Sequence, residues 1–234
     1  MPLVKPFTGL RPAAGRADDV VAPPYDVMNA DEARQMVEGR PWSFLHISRP
    51  EVDLPVGTDP YSDEVYAKAA ENLNSMVEQE VLVRDPKDSY YVYRLTMGDH
   101  VQTGLVAAAS VEAYDNDRIK KHEFTRPVKE DDRVRQVEAL NAQTGPVFLV
   151  YKANQVVDEL LKQVSASAAD VDVTARDGVR HEIWVLSDEE KLNTLTSAFD
   201  AMEAIYVADG HHRSAAGSRV GNSKKSDNPN HSGE

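Results

Sequence analysis

The sequence predicts an α/β (α+β) protein with mixed sheets. Three observations predict it. Short apolar runs bounded by Gly, Pro, Asn and Asp alternate with longer stretches of helical period. Two such pairs of runs are joined by hairpin turns, at Gly98-Asp99 and Asp177-Gly178. The run Ile205 to Ala208 passes through Asp209-Gly210 into His211-His212-Arg213 and the small residues Ser214-Ala215-Ala216, the pattern of a strand turning directly into a helix.

Read in order, residues 1–30 are rich in Pro and Gly, which excludes a long helix. Val20-Val21-Ala22 reads as a short strand ending at Pro23-Pro24, and Tyr25-Asp26-Val27 as a turn. Asp31 is a cap for a short helix to Glu38, Ser43 to Ser48 is strand-like, and Pro50 to Pro60 is a loop. From Ser62 to Gln79 the period is helical, with Val65, Ala69, Leu73, Met76 and Val77 on one face. Tyr90 to Met97 and Val101 to Tyr114 read as hairpin partners. Asp115 to Arg133 is densely polar, and Asp131 to Gln143 is helical. Pro146 to Lys152 is a strand, and Val156 to Val164 a helix with Leu160, Leu161 and Val164 inward. Val171 to Thr174 and His181 to Leu186 form the second hairpin. Ser187 or Asp188 caps a helix to about Met202 with Leu192, Leu195 and Phe199 on its core face. After Gly221 the chain turns to Asn, Ser, Lys, Asp, Pro and Gly, so residues 222–234 are expected to be disordered. The chemistry-bearing turn lies close to this tail, and a fold shortened at its C-terminus is expected.

Composition narrows the function. Of 234 residues, 41% are hydrophobic and 28% charged, which is ordinary for a globular domain. No run approaches a membrane span and no signal peptide is visible, so a cytoplasmic protein is expected, with no membrane partner. The chain has no cysteine, which removes disulfides, thiolate metal sites and cysteine nucleophiles. Its formal charge of -13 repels nucleic-acid backbones, so no nucleic-acid partner is expected. An anionic ligand on such a chain needs a local cationic pocket, a helix N-terminus or a magnesium ion.

The turn at Asp209 to Arg213 supplies such a place. Gly210 allows close backbone approach, and the free N–H groups of a new helix attract an anion. Arg213 has the planar fork that grips phosphate, and His211 and His212 are hydrogen-bond donors. Asp209 is placed to hold magnesium or to orient a histidine. Adjacent histidines rarely reach one metal, which disfavours a zinc site. The bland alternative is a helix start with solvated histidines and a surface arginine.

A second polar cluster lies upstream. Lys120-Lys121-His122-Glu123-Phe124-Thr125-Arg126-Pro127 is followed by Lys129-Glu130-Asp131-Asp132-Arg133. A kinase acting on a hydroxyl needs a carboxylate to take its proton and cations to hold phosphate. Glu123 is the candidate base, His122 its orienting neighbour, and Lys129 and Arg133 candidate phosphate ligands. The competing reading is a solvated loop with weak salt bridges.

The run Val207-Ala208-Asp209-Gly210-His211-His212-Arg213 resembles the phosphate-binding motif of the ParB and sulfiredoxin-like superfamily, and especially that of the free serine kinases. His122-Glu123 matches the His-Glu pair that those kinases carry upstream, whose Glu is their proposed base. The sulfiredoxin cysteine is replaced by His211. From Met1-Pro2-Leu3-Val4-Lys5-Pro6-Phe7 through Pro23-Pro24-Tyr25-Asp26 to about residue 221, the order of motifs is similar to a bacterial family, domain of unknown function one thousand and fifteen.

The resemblance implies a ParB/sulfiredoxin-like nucleotide-binding core. It implies a phosphotransferase that moves phosphate from ADP or ATP, with Mg2+, to the hydroxyl of L-serine or a similar small metabolite. Glu123, His122 and Asp209 would be catalytic. Gly210, His211, His212, Arg213, Lys129 and Arg133 would bind the nucleotide phosphates, Asp209 would take the metal, and Tyr25 and Asp26 would line the substrate pocket. A ParB-like nucleotide switch without metabolite kinase activity, or an inactive interaction module, are the alternatives.

Overall fold

A computed structural model describes residues 1–228 and Asn230. β1 (Val4–Lys5) and β2 (Leu10–Pro12) precede three short helices, α1 (Ala17–Val20), α2 (Ala30–Val37) and α3 (Leu45–Ser48), and a 3-10 turn at Pro50–Asp53. α4 (Asp63–Glu78) leads to β3 (Leu82–Arg84), the long hairpin β4 (Tyr90–Met97) and β5 (His100–Val106), and β6 (Ala108–Ala109). Next come α5 (Val111–Asp115), β7 (Ile119–Lys120), α6 (Pro127–Leu140), β8 (Phe148–Val150) and α7 (Gln155–Val164). β9 (Val171–Thr174), β10 (Arg180–Leu186), α8 (Glu189–Asp200), β11 (Ile205–Asp209) and α9 (His211–Asp227) complete the order.

The chain divides into two compact units, one of residues Met1–Lys5, Ala109–Asn154 and Thr196–Glu234, the other of Pro6–Ala108 and Gln155–Leu195. The second unit is built on an antiparallel sheet in the order β5-β4-β10-β9. Alternation sets its register: Val92 faces Trp184 across β4 and β10, and both are buried. Helix α4 turns Val65, Ala69, Leu73 and Met76 inward, whereas Val77 is 42% exposed and lies off the stripe. Helix α7 buries Val157 and Leu161, with Leu160 and Val164 only half-buried. A polar knot locks β2 and β3 to β4: Tyr91 Oη donates to Asp85 (2.8 Å) and accepts from the Gly9 N–H (2.7 Å), while Arg11 Nε donates to the same carboxylate.

The first unit carries a three-stranded sheet with β11 in the middle, parallel to β7 and antiparallel to β8. Ile205 and Val207 are buried on one face of β11, and the apolar seam Val134, Val137, Ala216 and Val220 joins α6 to α9. Contacts between these helices advance together: Arg126 with His212, Glu130 and Asp131 with Arg219, Asn141 with Lys224. The two helices therefore run parallel, and their N-termini lie at the same end.

Several expectations need correction. Residues 20–22 form no strand; α1 ends at Val20, its acidic Asp18 and Asp19 favouring a helix start. Ser43 to Ser48 is likewise helical at its end, because a short apolar run carries no period of its own and the N–H groups of Ile47 and Ser48 close a turn on the Phe44 carbonyl. Asn29, not Asp31, caps α2, in a reciprocal box with Glu32. The Pro50 to Pro60 segment opens with the 3-10 turn. The partner of β4 ends at Val106, and Ser110 caps helix α5 by accepting from the Ala113 N–H (3.1 Å). Helix α6 starts four residues before the expected Asp131, with Pro127 at its first position.

The tail expectation also changes. Helix α9 continues to Asp227, so residues 222–227 are helical rather than disordered. Asn222 donates to Asp115 (2.9 Å), and Lys224 donates to Asn141. Residues 229 and 231–234 lie outside the described residues.

Candidate functional site at the start of helix α9

Strand β11 ends at Asp209, and α9 begins at His211. The single residue between them, Gly210, sits at φ 92°, ψ 33°, a conformation that disfavours any side chain. Gly210 offers no side-chain cap, and the first bond into the new helix is Ser214 N–H to the Gly210 carbonyl (2.9 Å). The N–H groups of His211, His212 and Arg213 thus have no intrahelical acceptor. Helix α6 starts in a similar way, without a side-chain cap at Arg126 and with its first closing bond from Glu130. Because the helices are parallel, two positive helix ends share one side of the unit.

The segment Lys121 to Arg126 is fixed over this end. The Arg126 backbone N–H donates to His212 Nε2 (3.0 Å), so that nitrogen carries no proton and the neutral ring holds it on Nδ1. The His122 ring meets the His211 ring edge-on at 4.4 Å, and a Glu123 oxygen lies 3.8 Å from His211 Nδ1. Farther along, Thr125 Oγ1 donates to Glu130. That bond and the Arg219 guanidinium hold the Glu130 carboxyl below its usual range, so it stays ionised. Lys121 donates to the Tyr114 carbonyl and stands 4.2 Å from the centre of its ring.

His211 is the most buried member, at 5% exposure, and its Nε2 has no hydrogen-bond partner among the described residues. Buried polar atoms normally have a hydrogen-bond partner in protein or ordered water. Glu123, by contrast, is 59% exposed. A carboxylate at the surface with a histidine behind it is suited to exchange a proton with something arriving from solvent.

Arg213 turns back over the turn. Its Nη2 donates to Asp209 (2.6 Å), and its Nη1 donates to the Pro146 carbonyl. A Cβ on Gly210 would stand 3.0 Å from Nε, and one on Gly145 would stand 3.0 Å from Cδ. The arginine is therefore clasped between two glycines, with its fork pre-set beside the helix end. One Asp209 oxygen is committed to it, and the carboxylate is 73% exposed.

Of the other expected site residues, Lys129 is exposed on the first turn of α6, and Arg133 is engaged by Asp132 (2.6 Å). Tyr25 and Asp26 belong to the second unit, where Arg49 donates to the Tyr25 and Met28 carbonyls and holds that turn. Among the described residues, no group of three or more His, Asp or Glu side chains could hold a metal ion. Mg2+ is still compatible with Asp209, since that ion is commonly held by one or two carboxylates together with phosphate oxygens and water.

Three participants escaped the sequence reading. Gly145 receives the Arg213 stem, and the Gly145-Pro146 pair was the available signal. The Arg126 contribution is a backbone N–H, which no side-chain pattern reveals. Phe124 stands 98% exposed beside Glu123 and was passed over among charges.

The fold and this turn define a mixed α/β protein with several small sheets and a glycine-hinged strand-to-helix junction. The family model described as "Protein of unknown function (DUF1015)" matches residues 4–234, and the chain belongs to that family. The match runs beyond residue 221, where the motif resemblance was expected to end. No curated protein and no solved structure matches the chain. Among the described residues, no helix is long and apolar enough to cross a membrane.

Proposed function

We propose that the protein is a nucleotide-dependent phosphotransferase with a ParB/sulfiredoxin-like core, acting on the hydroxyl of L-serine or a similar small metabolite. The observation that carries this reading is the pairing of the uncapped α9 N-terminus with Glu123, whose carboxylate lies 3.8 Å from the His211 ring of that same helix start. An anion site and a proton acceptor within one turn of each other are the two parts that phosphoryl transfer to an alcohol requires.

In the reaction, the acceptor oxygen forms a bond to the terminal phosphorus of ADP or ATP. The bond from that phosphorus to the leaving AMP or ADP oxygen breaks, and the hydroxyl proton passes to Glu123. His211 orients Glu123 through Nδ1. The N–H groups of His211, His212 and Arg213 hold phosphate oxygens, with Arg213 preset by Gly145 and Gly210. Mg2+, when bound at Asp209, supplies charge neutralisation of the phosphates. Positioning and charge compensation account for most of the acceleration.

The test is incubation with L-serine, Mg2+ and ADP or ATP, followed by detection of O-phosphoserine. Glu123→Gln is expected to lower turnover by about 10²–10⁴-fold while nucleotide binding persists. Product formation undiminished in Glu123→Gln overturns the base assignment, and absence of O-phosphoserine from the folded protein overturns serine as acceptor.

A further inference from the structure

Phe124 is pinned on both sides to the start of α9. His122 and Glu123 precede it and lie against His211; Arg126 follows it and donates to His212. A segment of five residues is thus held to two successive residues of one helix, and the ring in its middle is 98% exposed. Val128, on the first turn of α6, is 66% exposed. Across the sheet, Phe148 is the register partner of Asp209 and is 46% exposed. An aromatic ring is thereby placed on each of two elements bordering the phosphate-binding turn. Within the turn, Nε2 of the buried His211 has no hydrogen-bond partner among the described residues.

We propose that Phe124 is the stacking platform for the base of a nucleoside di- or triphosphate whose phosphates sit at the start of α9. The inference rests on the nucleotide reading given above and adds where the base is held. Phosphate oxygens have no use for a phenyl ring, whereas every nucleobase has a flat face that stacks on one. Stacking also makes a further statement about specificity. It does not depend on the hydrogen-bonding edge of the base, so ADP and GDP are expected to bind within a few-fold of each other.

The experiment compares Mg-ADP with Mg-tripolyphosphate, which offers phosphates and no base, by calorimetry on the full chain. The wild-type protein is expected to bind ADP more tightly than tripolyphosphate. Phe124→Ala is expected to weaken ADP by about tenfold and leave tripolyphosphate within twofold. Phe124→Trp is expected to restore ADP binding and to have its fluorescence quenched by the nucleotide. Equal affinity of Phe124→Ala and wild type for ADP overturns the platform and leaves the phosphate site standing. Parallel loss of both ligands overturns it too, because the ring would then only shape the loop. Failure of the wild type to bind either ligand overturns both readings.

Discussion

The backbone N–H of Arg126 donates to Nε2 of His212, 86 residues later in the chain. This bond ties the loop carrying Glu123 to the N-terminus of α9. His212→Ala removes the acceptor, and the expected cost to stability is about 0.5–1.5 kcal/mol. Amide exchange at Arg126 should accelerate while exchange in the α9 interior stays slow. An unchanged Arg126 amide would mean that the loop is held in place without this bond.

Gly210→Ala tests the turn. The φ of 92° is strained for any side chain, and a Cβ would crowd the Arg213 guanidinium at 3.0–3.1 Å. The expected loss is about 1–2 kcal/mol for the left-handed backbone alone, plus whatever displacing Arg213 from Asp209 adds. Thermal unfolding measures it. Gly145→Ala, which crowds only the Arg213 stem, should cost less and should shift Arg213 without straining the backbone.

In the second unit, His46 supplies a pH dependence. Its Nδ1 faces Asp53 (2.9 Å) and its Nε2 faces the Arg40 carbonyl (3.0 Å), so both nitrogens meet acceptors and the ring is held as an imidazolium. The hydrogen bond donated to Asp53 raises the His46 pKa above 6.5, against the opposing effect of burial and of the Lys68 charge. For Asp53, burial pushes upward, but the bonds from His46 and Asn72 win and its pKa falls below 3.8. The His46 contribution is complete below pH 6.5 and is lost as pH rises through its higher folded value. The Asp53 contribution is complete above pH 3.8 and is lost as pH falls through its lower folded value. Urea midpoints should therefore decline on the alkaline side, and His46→Gln should flatten that decline. An equal decline in the variant would assign it to another group.

Tyr91→Phe tests the knot at β2, β3 and β4. Burial, with the hydrogen bond to Asp85, pushes the Tyr91 hydroxyl up to about 12, so it remains a donor at any ordinary pH. Removing it leaves the buried Asp85 short of one donor and the Gly9 N–H without an acceptor. A loss of about 1–3 kcal/mol is expected in denaturant unfolding. Tyr91→Phe with wild-type stability would show that solvent replaces both bonds.

The sequence was most legible where chemistry is local. The period of α4, the hairpin at Gly98 and the strand-to-helix passage at Gly210 are written in neighbouring residues. The short elements were not. Val20 to Ala22 and Ser43 to Ser48 look extended by composition, and only tertiary hydrogen bonds such as Phe44 N–H to the Val20 carbonyl decide their form. In the candidate site, His122, Glu123 and the Asp209 to Arg213 turn were visible as residue types, and the structure brings them to one end of α9. The engagement of Arg213 by Asp209 and Pro146, and of Arg133 by Asp132, was not visible, because a charge pattern does not say which partner a guanidinium takes.

The parallel pairing of α6 with α9 fixes when this region can mature during synthesis. The Lys121 to Arg126 loop leaves the ribosome long before the residues that hold it. Until His211 and His212 emerge, His122 and Glu123 have no helix to lie against, and Arg219 is not there to engage Glu130. A nascent chain stopped short of α9 would already contain the whole second unit, yet would carry the polar loop without the helix that anchors it. Anchoring of this loop is thus ordered in time by the position of a single helix.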